Sequence, residues 1–175
     1  MTGGTPRQGL MVFSHGKDSS PRSRKIELLR PMAAERGWMT KAPDYSGMDA
    51  AERIRTLSSV IADCTESVVL VGSSMGGVVS VFVAREHAVD GLFLMAPAVY
   101  WPGYDDLDHQ VKTGLIHIVH GWRDDVVPPD QVIRFAREHR ATLHILDAGH
   151  RLTDTVDLER LFEAFLDRLE ESQRP

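Results

Sequence analysis

The run Val68-Val69-Leu70-Val71-Gly72-Ser73-Ser74-Met75-Gly76-Gly77-Val78 sets an apolar stretch of strand length directly before two glycines that bracket a serine. An almost wholly apolar segment then continues to Ala84. This order reads as a buried strand, a tight turn and a buried helix, with Ser74 at the apex of the turn. Glycines two residues either side of the serine, Gly72 and Gly76, have a steric reason, because side chains there would collide with the strand and helix that the turn joins. A hydroxyl held at the start of a helix also lies beside free backbone N–H groups and the positive end of the helix dipole. Those features suit it to attack a carbonyl and make the Met75 N–H a candidate oxyanion donor.

Working outward, similar short apolar runs occupy residues 10–13, 92–95, 115–119 and 143–146, and 38–42 is a weaker sixth. Being apolar on both faces, the strong runs predict central strands of a parallel sheet. Between them the spacing predicts a helix capped by Ser20, with Pro21 at its first position, running through Ile26, Leu29 and Ala33 to a stop at Gly37. Further helices are predicted over 49–61, 75–87, 129–139 and 156–169. Alternating strands and helices imply a three-layer α/β/α sandwich with about six parallel strands, whose carboxyl ends lie along one edge. Ligands bind there, so residues that carry chemistry should fall just after strands.

A serine hydroxyl is a weak nucleophile until a base takes its proton, and the base needs a carboxylate to orient it. Both types follow later runs: His120-Gly121-Trp122-Arg123-Asp124-Asp125-Val126-Val127-Pro128 after 115–119, and Asp147-Ala148-Gly149-His150-Arg151-Leu152 after 143–146. His150 is the candidate base, with Asp124 or Asp125 as the acid. After the first run comes His15-Gly16-Lys17-Asp18-Ser19-Ser20-Pro21-Arg22-Ser23-Arg24-Lys25. The His15 ring reads as a buried group bonded to loop backbone, and the basic residues of 22–25 as a solvated helix face. His117 and His144, inside apolar runs, read as core residues, and Cys64 as a small buried filler.

The segment HGWRDDVVP, residues 120–128, resembles the HGxxDxxVP segment of the α/β-hydrolase superfamily, whose acid stands four residues after the histidine. The resemblance selects Asp124 and leaves Asp125 as a solvated turn residue. HGKDSSPRSRK at 15–25 and GSSMGG at 72–77 are similar to the HGxxSSPxSxK and GSSxGG signatures of a branch of small, capless bacterial serine esterases. The likeness covers about residues 10–169. It implies a nucleophile elbow at Gly72-Ser74-Gly76 and a second oxyanion donor at the backbone N–H of Lys17. It also implies ester cleavage through an acyl-enzyme on Ser74, without cofactor or metal. The full fold of that superfamily has eight strands, so the expectation is a minimal α/β-hydrolase fold lacking the first two.

Only the 19 residues 96–114 separate the run at 92–95 from that at 115–119, too few for a helical cap. An uncapped site suits small or accessible acyl esters. Val99, Tyr100, Trp101, Tyr104 and Trp122 are candidates for an apolar substrate wall, or equally for aromatics that pin the loop. Asp105, Asp106, Asp108 and His109 form a short acidic run that reads as solvated rather than metal-binding. Thioester or protein-acyl hydrolysis uses the same triad and is the adjacent alternative, and a hydrolase-fold binding protein without turnover is a more distant one.

The chain has 175 residues, 42% of them hydrophobic, and a net charge of −5. Such a length predicts one domain over 1–175, with its core at about 8–170 and tails at 1–7 and 171–175. The acidic balance argues against nucleic acid as a partner. One cysteine cannot form an internal disulfide, the start lacks the apolar segment of a secretory signal, and no apolar run reaches the ~20 residues of a membrane span, so a cytoplasmic protein acting on a small ester is expected.

Overall fold

In the computed structural model, residues 9–101, 103, 110–153 and 155–173 are described. The chain alternates β1 (Gly9–Ser14), α1 (Arg24–Glu35), β2 (Trp38–Lys41), α2 (Ala50–Ile61), β3 (Ser67–Ser73), α3 (Met75–Glu86), β4 (Gly91–Met95), β5 (Ile116–Gly121), α4 (Pro129–His139), β6 (Thr142–Leu146) and α5 (Thr155–Ser172). The strands form one open sheet in the order β2-β1-β3-β4-β5-β6, and every pairing is parallel.

Strand alternation divides the core into two layers. Leu10, Val12, Leu70, Leu92, Leu94 and Ile118 face one side, where they pack with Leu57 of α2, Val79 and Val83 of α3 and Phe135 of α4. Met11, Phe13, Val69, Val71 and Phe93 face the other, against Ile26 and Leu29 of α1 and Phe162 and Phe165 of α5. Phe93 meets Phe162 edge-on at 5.0 Å and Phe165 at 5.3 Å. Each such ring contributes roughly 1.5–3 kcal/mol by leaving water. The order of side chains along each strand therefore assigns the helices to their faces.

Three local expectations are corrected. The Ser20-Pro21 pair makes a turn closed by the Ser23 N–H donating to the Ser20 carbonyl at 3.0 Å, and α1 begins only at Arg24, with Ser23 at its cap. The run at 143–146 is an edge strand whose residues are partly exposed, not a central one; its high apolar content covers one flank of the sheet instead of being buried on both faces. Cys64 is half-exposed and its thiol faces the Glu66 carbonyl at 3.7 Å. In contrast, α2 starts where the sequence places it. Asp49 accepts the Glu52 N–H and Glu52 accepts the Asp49 N–H, both at 2.8 Å, which satisfies two otherwise orphaned donors.

His117 of β5 is 4% exposed, and neither ring nitrogen has a hydrogen-bond partner. Burial pushes its pKa down to about 4, with the nearby charges of His144 and Arg168 acting in the same direction. The Phe165 ring lies 5.3 Å away and the His144 ring 6.2 Å. Because the folded pKa lies below the unfolded value of about 6.5, the unfolded chain takes up the proton first as pH falls. The stability concerned is present above pH 6.5 and is lost toward pH 4. Burial lowers His15, His120 and His144 in the same sense. Between pH 7.5 and 4.5, His117→Leu is expected to lose about 2 kcal/mol less stability than the wild type in urea denaturation. Equal losses would show that this ring does not set the acid limit.

Candidate active site

Ser74 lies immediately after β3, at φ 54° and ψ −117°, in a region that non-glycine residues rarely adopt. A Cβ on Gly72 would fall inside contact distance of the Gly76 carbonyl, and one on Gly76 would strike the Ser14 carbonyl at the end of β1. The turn is held by the Ser74 N–H donating to the Met95 carbonyl at 3.0 Å, while the Ser74 carbonyl accepts the N–H groups of Gly77 at 2.9 Å and Ala98 at 3.1 Å. Strain of this kind persists only where its surroundings over-determine it. Here three strand ends and the start of α3 do so.

The loops after β5 and β6 bring Asp124 and His150 to this apex. Nε2 of His150 lies 3.0 Å from Ser74 Oγ, and its Nδ1 lies 2.8 Å from Asp124 Oδ2. A carboxylate only accepts, so Nδ1 carries the proton, and Nε2 is left to accept from the serine hydroxyl. Asp124 has a fully buried side chain, and His150 retains 19% exposure. The other carboxylate oxygen, Oδ1, accepts the N–H groups of Val126 at 2.9 Å and Val127 at 2.8 Å, so both oxygens are committed. Asp125 is exposed. Beneath the acid, the buried His120 donates from Nε2 to the Val127 carbonyl at 3.1 Å, with that nitrogen 3.6 Å from Asp124 Oδ2. Burial lowers the His120 pKa, and the neighbouring Asp124 pulls it partly back up.

The loop after β1 forms the opposite wall. A Cβ built on Gly16 would lie 3.4 Å from Ser74 Cβ, so the loop at Gly16 runs alongside Ser74. Among the described residues, neither the Lys17 nor the Met75 N–H has an acceptor in the protein. The Lys17 side chain is exposed. His15 is fully buried. Its Nδ1–H donates to the Gly16 carbonyl at 2.8 Å, and Nε2 accepts the Tyr45 N–H at 3.0 Å. The Tyr45 hydroxyl in turn lies 3.1 Å from Ser14 Oγ.

Of the aromatic residues singled out in the sequence, Tyr100 is tied to α4. Its hydroxyl donates to Glu138 at 3.0 Å, and the Arg134 guanidinium lies 4.8 Å from its ring centroid. Trp101 packs on the cluster of Ala50, Met75, Val78 and Phe82, beside the residue that follows Ser74. Trp122, two residues before Asp124, is 59% exposed. Tyr104, Asp105, Asp106, Asp108 and His109 lie outside the described residues. Among the described residues, no three His, Cys, Asp or Glu side chains converge as a metal site would require. No helix among them is long and apolar enough to cross a membrane.

One basic residue of the 22–25 segment departs from the solvated face expected of it. Lys25, in the first turn of α1, is half-buried, and desolvation pushes its pKa down to about 8, with the charge of Asp124 pulling it partly back up. Lys25 stands four residues before Leu29 and eight before Ala33, both buried, so the helical spacing turns it inward. Arg22 and Arg24 are exposed as expected.

No curated protein matches this chain in sequence. Solved structures do match it closely in three dimensions. A protein of the α/β-hydrolase superfamily from Xanthomonas campestris pv. campestris is 28% identical, with a TM-score of 0.82 over 91% of this chain and 99% of that one. Est1E from Butyrivibrio proteoclasticus, at 16% identity, gives a TM-score of 0.83 over 97% of this chain and 91% of its own. A lidless α/β serine hydrolase from Xanthomonas campestris, at 17% identity, gives 0.74 over 93% and 83%. The last two likenesses speak to fold. The model of an uncharacterised protein family, UPF0227, matches residues 10–114, from β1 through the loop before β5. The chain belongs to that family, and its architecture is that of the α/β-hydrolase superfamily.

Proposed function

We propose that this protein is a serine hydrolase that cleaves small or accessible carboxylic esters through an acyl-enzyme on Ser74. The observation that carries this reading is the hydrogen-bonded chain from Ser74 Oγ to His150 Nε2, and from His150 Nδ1 to Asp124, at 3.0 and 2.8 Å. In the first step His150 takes the serine proton as Oγ attacks the ester carbonyl. The N–H groups of Met75 and Lys17 receive the resulting oxyanion. His150 returns the proton to the leaving alkoxide, and the acyl group remains on Ser74. Water, deprotonated by the same Nε2, then attacks the acyl-enzyme, and the carboxylic acid departs as Oγ is reprotonated. The reaction consumes only ester and water. Trp101 and Trp122 are the side chains assigned to the acyl group. Tyr100, next to Trp101, is held by Glu138 and Arg134.

The test is labelling by a fluorophosphonate, read by intact mass, together with initial rates on acetyl, butyryl and octanoyl p-nitrophenyl esters. One adduct per chain is expected, with the two short esters turned over faster than the octanoyl ester. Folded protein that takes no label and hydrolyses none of the three would refute the reading.

A further inference from the structure

Arg53 of α2 is 1% exposed, and its guanidinium is spent on main-chain oxygens of the loop after β1. Nη1 donates to the carbonyls of His15 at 3.1 Å and Gly16 at 3.2 Å, Nη2 donates to that of Lys17 at 3.2 Å, and Nε to that of Met48 at 3.1 Å. Its Cζ lies 5.5 Å from the centroid of the Tyr45 ring. Three consecutive carbonyls bound by one rigid fork is a geometry that neither lysine nor a neutral side chain reproduces.

We infer that Arg53 is the positioning residue of the oxyanion loop, fixing the direction of the Lys17 N–H through the carbonyls it holds. The inference rests on Lys17 serving as an oxyanion donor, as proposed above. The Gly16 carbonyl and the Lys17 N–H belong to one planar peptide and point to opposite sides of it. Two buried donors, Arg53 Nη1 and His15 Nδ1, pull the Gly16 oxygen inward. The Lys17 N–H is therefore turned away from these donors, in a loop whose Gly16 lies beside Ser74. The bond from Nη2 to the Lys17 carbonyl fixes the next peptide in the same way, so the loop is clamped on both sides of the donor.

Charge adds to direction. A cation on the carbonyl side of a peptide polarises it and strengthens its N–H as a donor. No carboxylate among the described residues forms an ion pair with Arg53; Asp18 and Asp44 act on it only at longer range. Its positive charge thus remains available to the negative charge that develops on the substrate oxygen, one peptide away.

The experiment compares Arg53→Met and Arg53→Lys with wild type. Three quantities are read: kcat and KM on p-nitrophenyl acetate, the rate of fluorophosphonate labelling, and hydrogen exchange of the amides of residues 15–19. For folded Arg53→Met the expected result is a roughly 10- to 100-fold fall in kcat and in labelling rate, with KM within threefold. Exchange in the loop should accelerate. Arg53→Lys keeps the charge and one or two of the bonds, so it should fall between the two, and it decides the matter if the methionine variant does not fold. A folded variant with wild-type kcat would overturn the inference, as would a fall in kcat with loop exchange unchanged. Wild type that neither hydrolyses nor labels would overturn both the hydrolase reading and this inference. That outcome is distinct from failure of the inference alone, in which wild type is active and the variants match it.

Discussion

Ser74→Ala is expected to lower kcat on p-nitrophenyl acetate by roughly 10⁵- to 10⁶-fold and to abolish the fluorophosphonate adduct, and His150→Ala to cost about as much. The double variant should be no worse than either single one, because nucleophile and base act as a unit: without Nε2 as acceptor the hydroxyl at 3.0 Å is not activated, and without the hydroxyl the imidazole has nothing to deprotonate. Neither change should unfold the protein. Ser74 occupies φ 54°, ψ −117°, and alanine meets the same backbone strain there as serine. Ser74→Gly separates chemistry from strain, since glycine adopts that conformation freely. It should be equally inactive yet about 1 kcal/mol more stable in urea denaturation. Residual activity above about 1% in Ser74→Ala, with label still bound, would mean that another nucleophile reacts.

Much of this site was legible because its parts depend on short-range sequence. Strands buried on both faces read as continuous apolar runs, and a serine between glycines after such a run has few structural uses. His150 and Asp124 could be placed because they follow strand ends. The spacing of HGWRDDVVP left two acids open, and only the resemblance chose between them. The structure supplies the physical difference: Asp124 turns inward onto two backbone N–H groups and His150, while Asp125 faces solvent. What the sequence concealed are groups that act across long separations. Arg53 lies on the same face of α2 as Ala50, Leu57 and Ile61, and all four are buried. The charge in the middle of that stripe is itself a signal, since an isolated arginine on a buried face must find acceptors. Its partners are 36 to 38 residues away, in a loop whose path no local pattern gives. Lys25 carries a signal of the same kind, since it stands four and eight residues before the buried Leu29 and Ala33 of α1, a cation in line with apolar positions.

Replacing Asp124 by asparagine tests the tautomer on which the mechanism depends. Oδ1 is committed to the N–H groups of Val126 and Val127, so the asparagine carbonyl would occupy that place, and its NH₂ would face His150 Nδ1. Two donors cannot share one hydrogen bond. The imidazole would relieve the conflict by moving its proton to Nε2, leaving Nδ1 to accept from the amide. Nε2–H then points at Ser74 Oγ and can no longer take the serine proton. With shape and packing nearly unchanged, kcat is expected to fall by roughly 10⁴-fold, while the melting temperature stays within a few degrees. Labelling by fluorophosphonate should slow in proportion, since it needs the same proton transfer. Asp125→Asn, exposed and outside this chain of bonds, should keep kcat within twofold. Should the Asp125 variant lose the activity and the Asp124 variant keep it, the acid is misassigned. Should neither lose it, His150 would not depend on a carboxylate for its orientation, and the buried cluster of Asp124, His120 and the Val127 carbonyl would serve only to hold the loop after β5.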